Sequence, residues 1–179
     1  MIGLEKSLPD TVTVDGRDYF ISTDYRDWIK FETLITNANI PEDEKLLKML
    51  EIYLEDDNDM IVIPDDIEKV IKALVSFYCM GEEIEISPAK SSERHEKVYD
   101  FDEDRALIKS AFRQSYGIDL ENDYVHWWDF RMLLDTVHEN TRFSQIVSIR
   151  ATKLSDLPKS ERKRYEELKK KFALGKKGS

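Results

Sequence analysis

Three histidines, one cysteine and a dense acidic run are the groups in this sequence whose chemistry could be catalytic or metal-binding. His95, His126 and His138 form no His-x3-His pair and no Cys-x2-Cys occurs, so the spacings that bring two metal ligands together are missing. Glu55-Asp56-Asp57-Asn58-Asp59 has the oxygen density of a calcium loop. It lacks the glycine at the bend and the terminal bidentate glutamate, so a solvated loop is expected. Cys79 sits inside Phe77-Tyr78-Cys79-Met80 and reads as a packing residue. The chain contains no phosphate loop, dinucleotide fingerprint, nucleophile elbow or zincin motif. A protein that is not an enzyme, with no cofactor and no metal, is the expectation.

Binding is the chemistry that remains, and two places could carry it. Trp127 and Trp128 are two of the three tryptophans. Adjacent residues on a helix point about 100° apart, so one core seldom takes both indoles. Phe130 and Leu134 share the side of Trp127, which assigns Trp127 to the core and leaves Trp128 for a partner. The second place is the C-terminal stretch. From Lys153 onward it holds ten of the 27 Lys and Arg residues but only four of the 37 Asp and Glu residues. Arg162, Lys163, Lys169 and Lys170 are its candidate contact residues. They could neutralise phosphates, but no base-stacking aromatics or base-reading motif accompany them. An acidic protein surface, another copy of this chain included, is the preferred partner, with a plain solvated helix as the bland alternative and nucleic acid behind both.

The elements that position these residues can be read from periodicity. Thr11-Val12-Thr13-Val14 and Arg17-Asp18-Tyr19-Phe20-Ile21 flank Asp15-Gly16, the pair a type I′ hairpin turn demands, with Val12, Val14, Tyr19 and Ile21 on one face. Helices are then expected from a Thr23 cap through Tyr25, Trp28, Ile29, Leu34 and Ile35; from Pro41 through Leu46, Leu47, Leu50, Tyr53 and Leu54; and from Asp65 or Asp66 through Ile67, Val70, Leu74 and Phe77 to Gly81. Ile61 with Ile63 and Ile84 with Ile86 alternate with other residues as in short strands on either side of this last helix. Asp100 is expected to cap the next helix and Gly117 to stop it, with Asp119 either capping a short turn or pairing with Arg150. Asp123 is expected to start the Trp127 helix, and Asn140 or Thr141 a helix through Phe143, Ile146 and Val147. Arg150, on the face of those apolar residues, calls for a carboxylate partner.

The expected fold is mainly α, a helical protein with a short N-terminal β-hairpin. Residues 1–86 hold the hairpin and three helices, 87–97 an exposed linker, 98–174 a second helical region, and 175–179 a disordered end. The 179 residues are 41% hydrophobic and 36% charged with a net charge of −10, which suits a soluble protein repelled by nucleic acid and anionic membranes. A single cysteine excludes an internal disulfide. The absence of a secretory or membrane-spanning pattern points to the cytoplasm.

Leu8-Pro9-Asp10, Asp15-Gly16, Asp24-Tyr25-Arg26, Tyr99-Asp100-Phe101-Asp102, Tyr116-Gly117-Ile118-Asp119-Leu120, His126-Trp127-Trp128, Arg150 and Phe172-Ala173-Leu174 follow one another in an order that resembles a family of small proteins from phages and prophages with long non-contractile tails. These proteins are encoded just before the tape-measure protein and are regarded as tail-assembly chaperones. The resemblance spans nearly the whole chain. It implies a non-catalytic protein in the cytoplasm of the bacterial host that binds the tape-measure protein and assists polymerisation of the tail tube. The major tail protein and a second tail-assembly chaperone are further implied partners. A minor structural component of the virion tail and a DNA-associated phage factor using the basic C-terminal helix are the alternatives.

Overall fold

Two positive φ angles set the first element. Asp15 at 52° and Gly16 at 79° turn the chain between β1 (Thr11–Val14) and β2 (Arg17–Phe20), which pair Val14 with Arg17 and Val12 with Tyr19. Val12, Val14 and Ile21 are buried, whereas Thr13, Asp18 and Phe20 face out. The computed structural model describes residues 7–37, 39–41, 44–45, 48–49, 66–82 and 97–175. The expected strands at 61–63 and 84–86, the acidic run at 55–59, His95, most of the 41–54 helix, linker residues 87–96 and tail residues 176–179 lie outside them. Among the described residues the protein is mostly helical, at 57%, with six helices beside the two-stranded antiparallel hairpin.

The helices are α1 (Tyr25–Thr36), α2 (Ile67–Tyr78), α3 (Arg105–Tyr116), α4 (Trp127–Asp135), α5 (Arg142–Ala151) and α6 (Lys159–Phe172), with a 3-10 turn at Leu154–Asp156. Their starts differ in part from the expected caps. Asp24, rather than Thr23, accepts the first free N–H of α1, from Arg26. Asp66 caps α2 through the Lys69 N–H, and Thr141 caps α5 through the Ser144 N–H. Asp100 caps a turn rather than α3 itself, accepting from the backbone N–H groups of Asp102 and Glu103 just before that helix begins. Gly117, at φ 73°, ends α3 in the left-handed region that glycine adopts without strain.

The chain folds as two compact units. One comprises Met1–Ile86 with Tyr124–Arg131, and the other Ser87–Asp123 with Met132–Ser179. The residues from 124 to 131, which sequence position alone would assign to the C-terminal region, therefore pack with the N-terminal unit. Its core gathers Val12, Val14, Ile21, Trp28, Phe31, Val70, Leu74, Phe77, Trp127 and Phe130. In the second unit Phe101, Ile108, Phe112, Leu120, Leu134, Phe143 and Ile146 are buried, and α5 packs on α3 and α6.

Candidate functional site

Trp127 and Trp128 meet the end of α2. Burying an indole leaves its N–H in need of an acceptor, while the last carbonyls of a helix have no intrahelical donor. The two requirements cancel here: Trp127 Nε1 donates to the Tyr78 carbonyl at 2.9 Å and Trp128 Nε1 to the Phe77 carbonyl at 2.8 Å. Trp127 stacks with Tyr78 at 5.3 Å and Trp128 packs on Phe77 at 5.4 Å. The expectation that Trp128 stays free for a partner is thus corrected. The residue is only 7% exposed, because successive carbonyls at the α2 terminus receive the N–H groups of both neighbouring indoles.

His126, not Asp123, starts α4. Its Nδ1 accepts the Trp128 N–H at 3.0 Å, so the proton sits on Nε2, which donates to the Pro9 carbonyl at 2.9 Å. A short antiparallel crossing holds this segment to the start of α1, with Tyr25 N–H on the Val125 carbonyl and Trp127 N–H on the Thr23 carbonyl. Asp123 instead accepts the Asp119 N–H. Cys79 lies at the α2 C-cap, where burial pushes its thiol pKa up, against the pull of Arg131, and away from nucleophilic use. Among the described residues no three His, Cys, Asp or Glu side chains gather where they could hold a metal ion.

In the second unit Arg150 is the organising cation. Its guanidinium takes both carboxylate oxygens of Asp104, at 2.5 and 3.1 Å, and also donates to the carbonyls of Val98 and Phe172. With side chains 12% and 4% exposed, a part-buried Arg150 and a buried Asp104 form a bidentate pair. Asp119 is therefore not the partner of Arg150. It folds its own turn, accepting from Glu121 N–H and Asn122 Nδ2, and pairs with Arg113. The Glu121 and Asn122 donors, more than Arg113, hold its carboxyl below the usual range. Asp104 had no distinguishing mark among the acidic residues before α3. Only the fold brings it, over a separation of 46 residues, to Arg150.

The Arg150 pair is the footing of α6. Phe172 is bound by Arg150, Lys169 Nζ donates to the carbonyls of Arg150 and Thr152 at 2.7 and 2.9 Å, and the Gly175 N–H donates to Glu103. Lys97, Asp100, Arg150, Lys169 and residues 173–175 line a cleft of about 450 Å³ beside this footing. No residue of α6 is buried. Of the expected contact cations, Lys169 is used within the fold, Arg162 donates to the carbonyls of Leu157 and Ser155, and Lys170 pairs with Glu166. Lys163 is exposed and, among the described residues, makes no hydrogen bond or ion pair. The basic stretch is thus part anchor and part open surface.

No helix among the described residues is long and apolar enough to cross a membrane. Neither the curated proteins nor the solved structures include a match to this chain. A family model described as Bacteriophage Gp15 protein does match, over residues 4–174, which takes in the hairpin, the Trp127-Trp128 cap, the Arg150 pair and α6. The chain belongs to the bacteriophage Gp15 protein family.

Proposed function

We propose that this bacteriophage protein is a non-catalytic tail-assembly chaperone that binds the tape-measure protein in the host cytoplasm and assists polymerisation of the tail tube around it. The observation that supports this reading best is α6, fourteen residues of helix with no fully buried side chain, held by polar bonds and by half-buried Tyr165, Leu168 and Phe172, with the rest of its surface open. A tape-measure chain awaiting its tube exposes long helical stripes, and an exposed amphipathic helix on a strongly charged carrier can cover such a stripe while keeping the complex dispersed. The net charge of −10 supplies that dispersal. With Trp128 engaged by α2, partner contact falls to α6 and its surroundings.

Co-expression with the tape-measure protein of the same locus tests the proposal. The expected result is a tape measure that stays in the soluble fraction and co-elutes with this chain on size exclusion. A tape measure equally soluble without this chain, and no co-eluting complex, would sink it. Mass spectrometry of purified particles that finds this chain in fixed ratio to the tail subunits would replace it with a structural tail component.

A further inference from the structure

Two surfaces of the second unit carry charges that its own helices disfavour. Lys159 is the first residue of α6 and Asp135 the last residue of α4. A cation at a helix N-terminus and an anion at a C-terminus both oppose the helix dipole. Neither side chain is compensated locally: Lys159, Lys163, Asp135 and Glu139 are exposed and, among the described residues, make no hydrogen bond or ion pair. Lys159 and Lys163, four residues apart, lie on the side of α6 away from Tyr165, Leu168 and Phe172. Met132, 46% exposed, sits one turn before Asp135 on α4.

We propose that copies of this chain associate head to tail, the Lys159 and Lys163 face of α6 in one copy docking on Met132, Asp135 and Glu139 of the next. The charges are opposite, and Met132 supplies an apolar centre with a charged rim, the usual anatomy of a protein contact. Docking offsets both unfavourable dipole placements together. The two surfaces differ, so an associated pair keeps one free basic face on one copy and one free acidic face on the other, and growth continues into a chain or closes into a ring. Exposed ion pairs contribute little each, which makes the association weak, reversible and salt-sensitive. The proposal does not rest on the chaperone reading and is tested without a tape measure present.

Analytical ultracentrifugation of the purified full chain decides it. At about 0.1 M salt the screening length of about 10 Å damps repulsion between net-acidic copies yet spares direct pairs, and at about 1 M it falls to about 3 Å. Concentration-dependent species larger than a monomer are expected at the lower salt, reverting to monomer at the higher. Lys159→Glu/Lys163→Glu and Asp135→Lys/Glu139→Lys should each weaken association about tenfold or more. An equimolar mixture of the two variants should restore it, because each reversed face then meets its complement. Lys159→Glu and Asp135→Lys place the favourable charge at a helix end, and Lys163 and Glu139 are exposed, so thermal melts should show the fold intact. A chain monomeric at every concentration at 0.1 M salt would overturn the proposal, as would association indifferent to both reversals or a mixture that stays monomeric.

Discussion

At the scale of single residues, Trp128 is where helical geometry and packing diverge. Residues 127 and 128 leave α4 in different directions, yet both indoles are buried because Phe77 and Tyr78 offer successive carbonyls at the end of α2. A surface tryptophan could be removed at little cost, whereas this one fills space and ends a helix. Trp128→Ala should therefore lower the unfolding free energy by about 3–5 kcal/mol in urea titration. Trp128→Phe should cost less, since a ring remains and the main loss is the N–H bond to Phe77, about 1 kcal/mol. A cost below about 1 kcal/mol for the alanine variant would return Trp128 to the surface. Phe31 carries a related lesson: it is fully buried in α1, while Ile29, Leu34 and Ile35, equally apolar in sequence, are only half-buried. Apolar periodicity marks a stripe, and the neighbours decide which edge of the stripe is covered.

At the scale of elements, the ends of helices were legible in part, at Asp66, Gly117 and Thr141 but not at Thr23, Asp100 or Asp123, because some caps depend only on local hydrogen bonding. Asp66, Gly117 and Thr141 act within a few residues of themselves. His126 was not legible as a cap, since its role depends on Pro9 from far along the chain. Asp100 offers a pH test of a local cap. Burial pushes its carboxyl pKa up, but the N–H groups of Glu103 and Asp102 and the Lys97 ammonium outweigh burial and leave it below the ordinary value. A lowered folded-state pKa adds stability that is present above the unfolded value, near 3.9 for aspartate, and is lost as pH falls through the folded value. Asp100→Ala should cost about 1 kcal/mol at pH 7. In thermal melts at stepped pH, the gap between the variant and the parent chain should close as pH drops below about 4. A gap that is constant from pH 7 to 3 would mean the carboxylate charge plays no part.

At the scale of the whole molecule, stability is unevenly distributed. α3 buries Ile108, Ala111 and Phe112, whereas α6 has no fully buried residue and is held by half-buried Tyr165, Leu168 and Phe172 and by the bonds of Arg150 and Lys169. Amides of α6 should exchange with solvent at least about tenfold faster than those of α3 in hydrogen-exchange mass spectrometry, since opening α6 uncovers little apolar surface. Arg150→Ala should accelerate them further by removing the bond to Phe172 and leaving Asp104 buried beside no cation. Equal protection of α3 and α6 would contradict this picture.

What nearest neighbours control was readable along the chain: the Asp15-Gly16 hairpin and its register, the helical periodicities, several caps, the charge inversion after Lys153, and an ordered set of motifs resembling a phage tail-protein family. Alternation, turn conformation and capping act over a few residues, so their signals survive without a fold. It took the packed fold to show that residues 124–131 join the N-terminal unit, that Trp128 completes α2, and that Asp104 rather than Asp119 neutralises Arg150. Each of those depends on which buried donor finds which acceptor across tens of residues. A chain rich in carboxylates and carbonyls offers many equivalent choices until packing selects one.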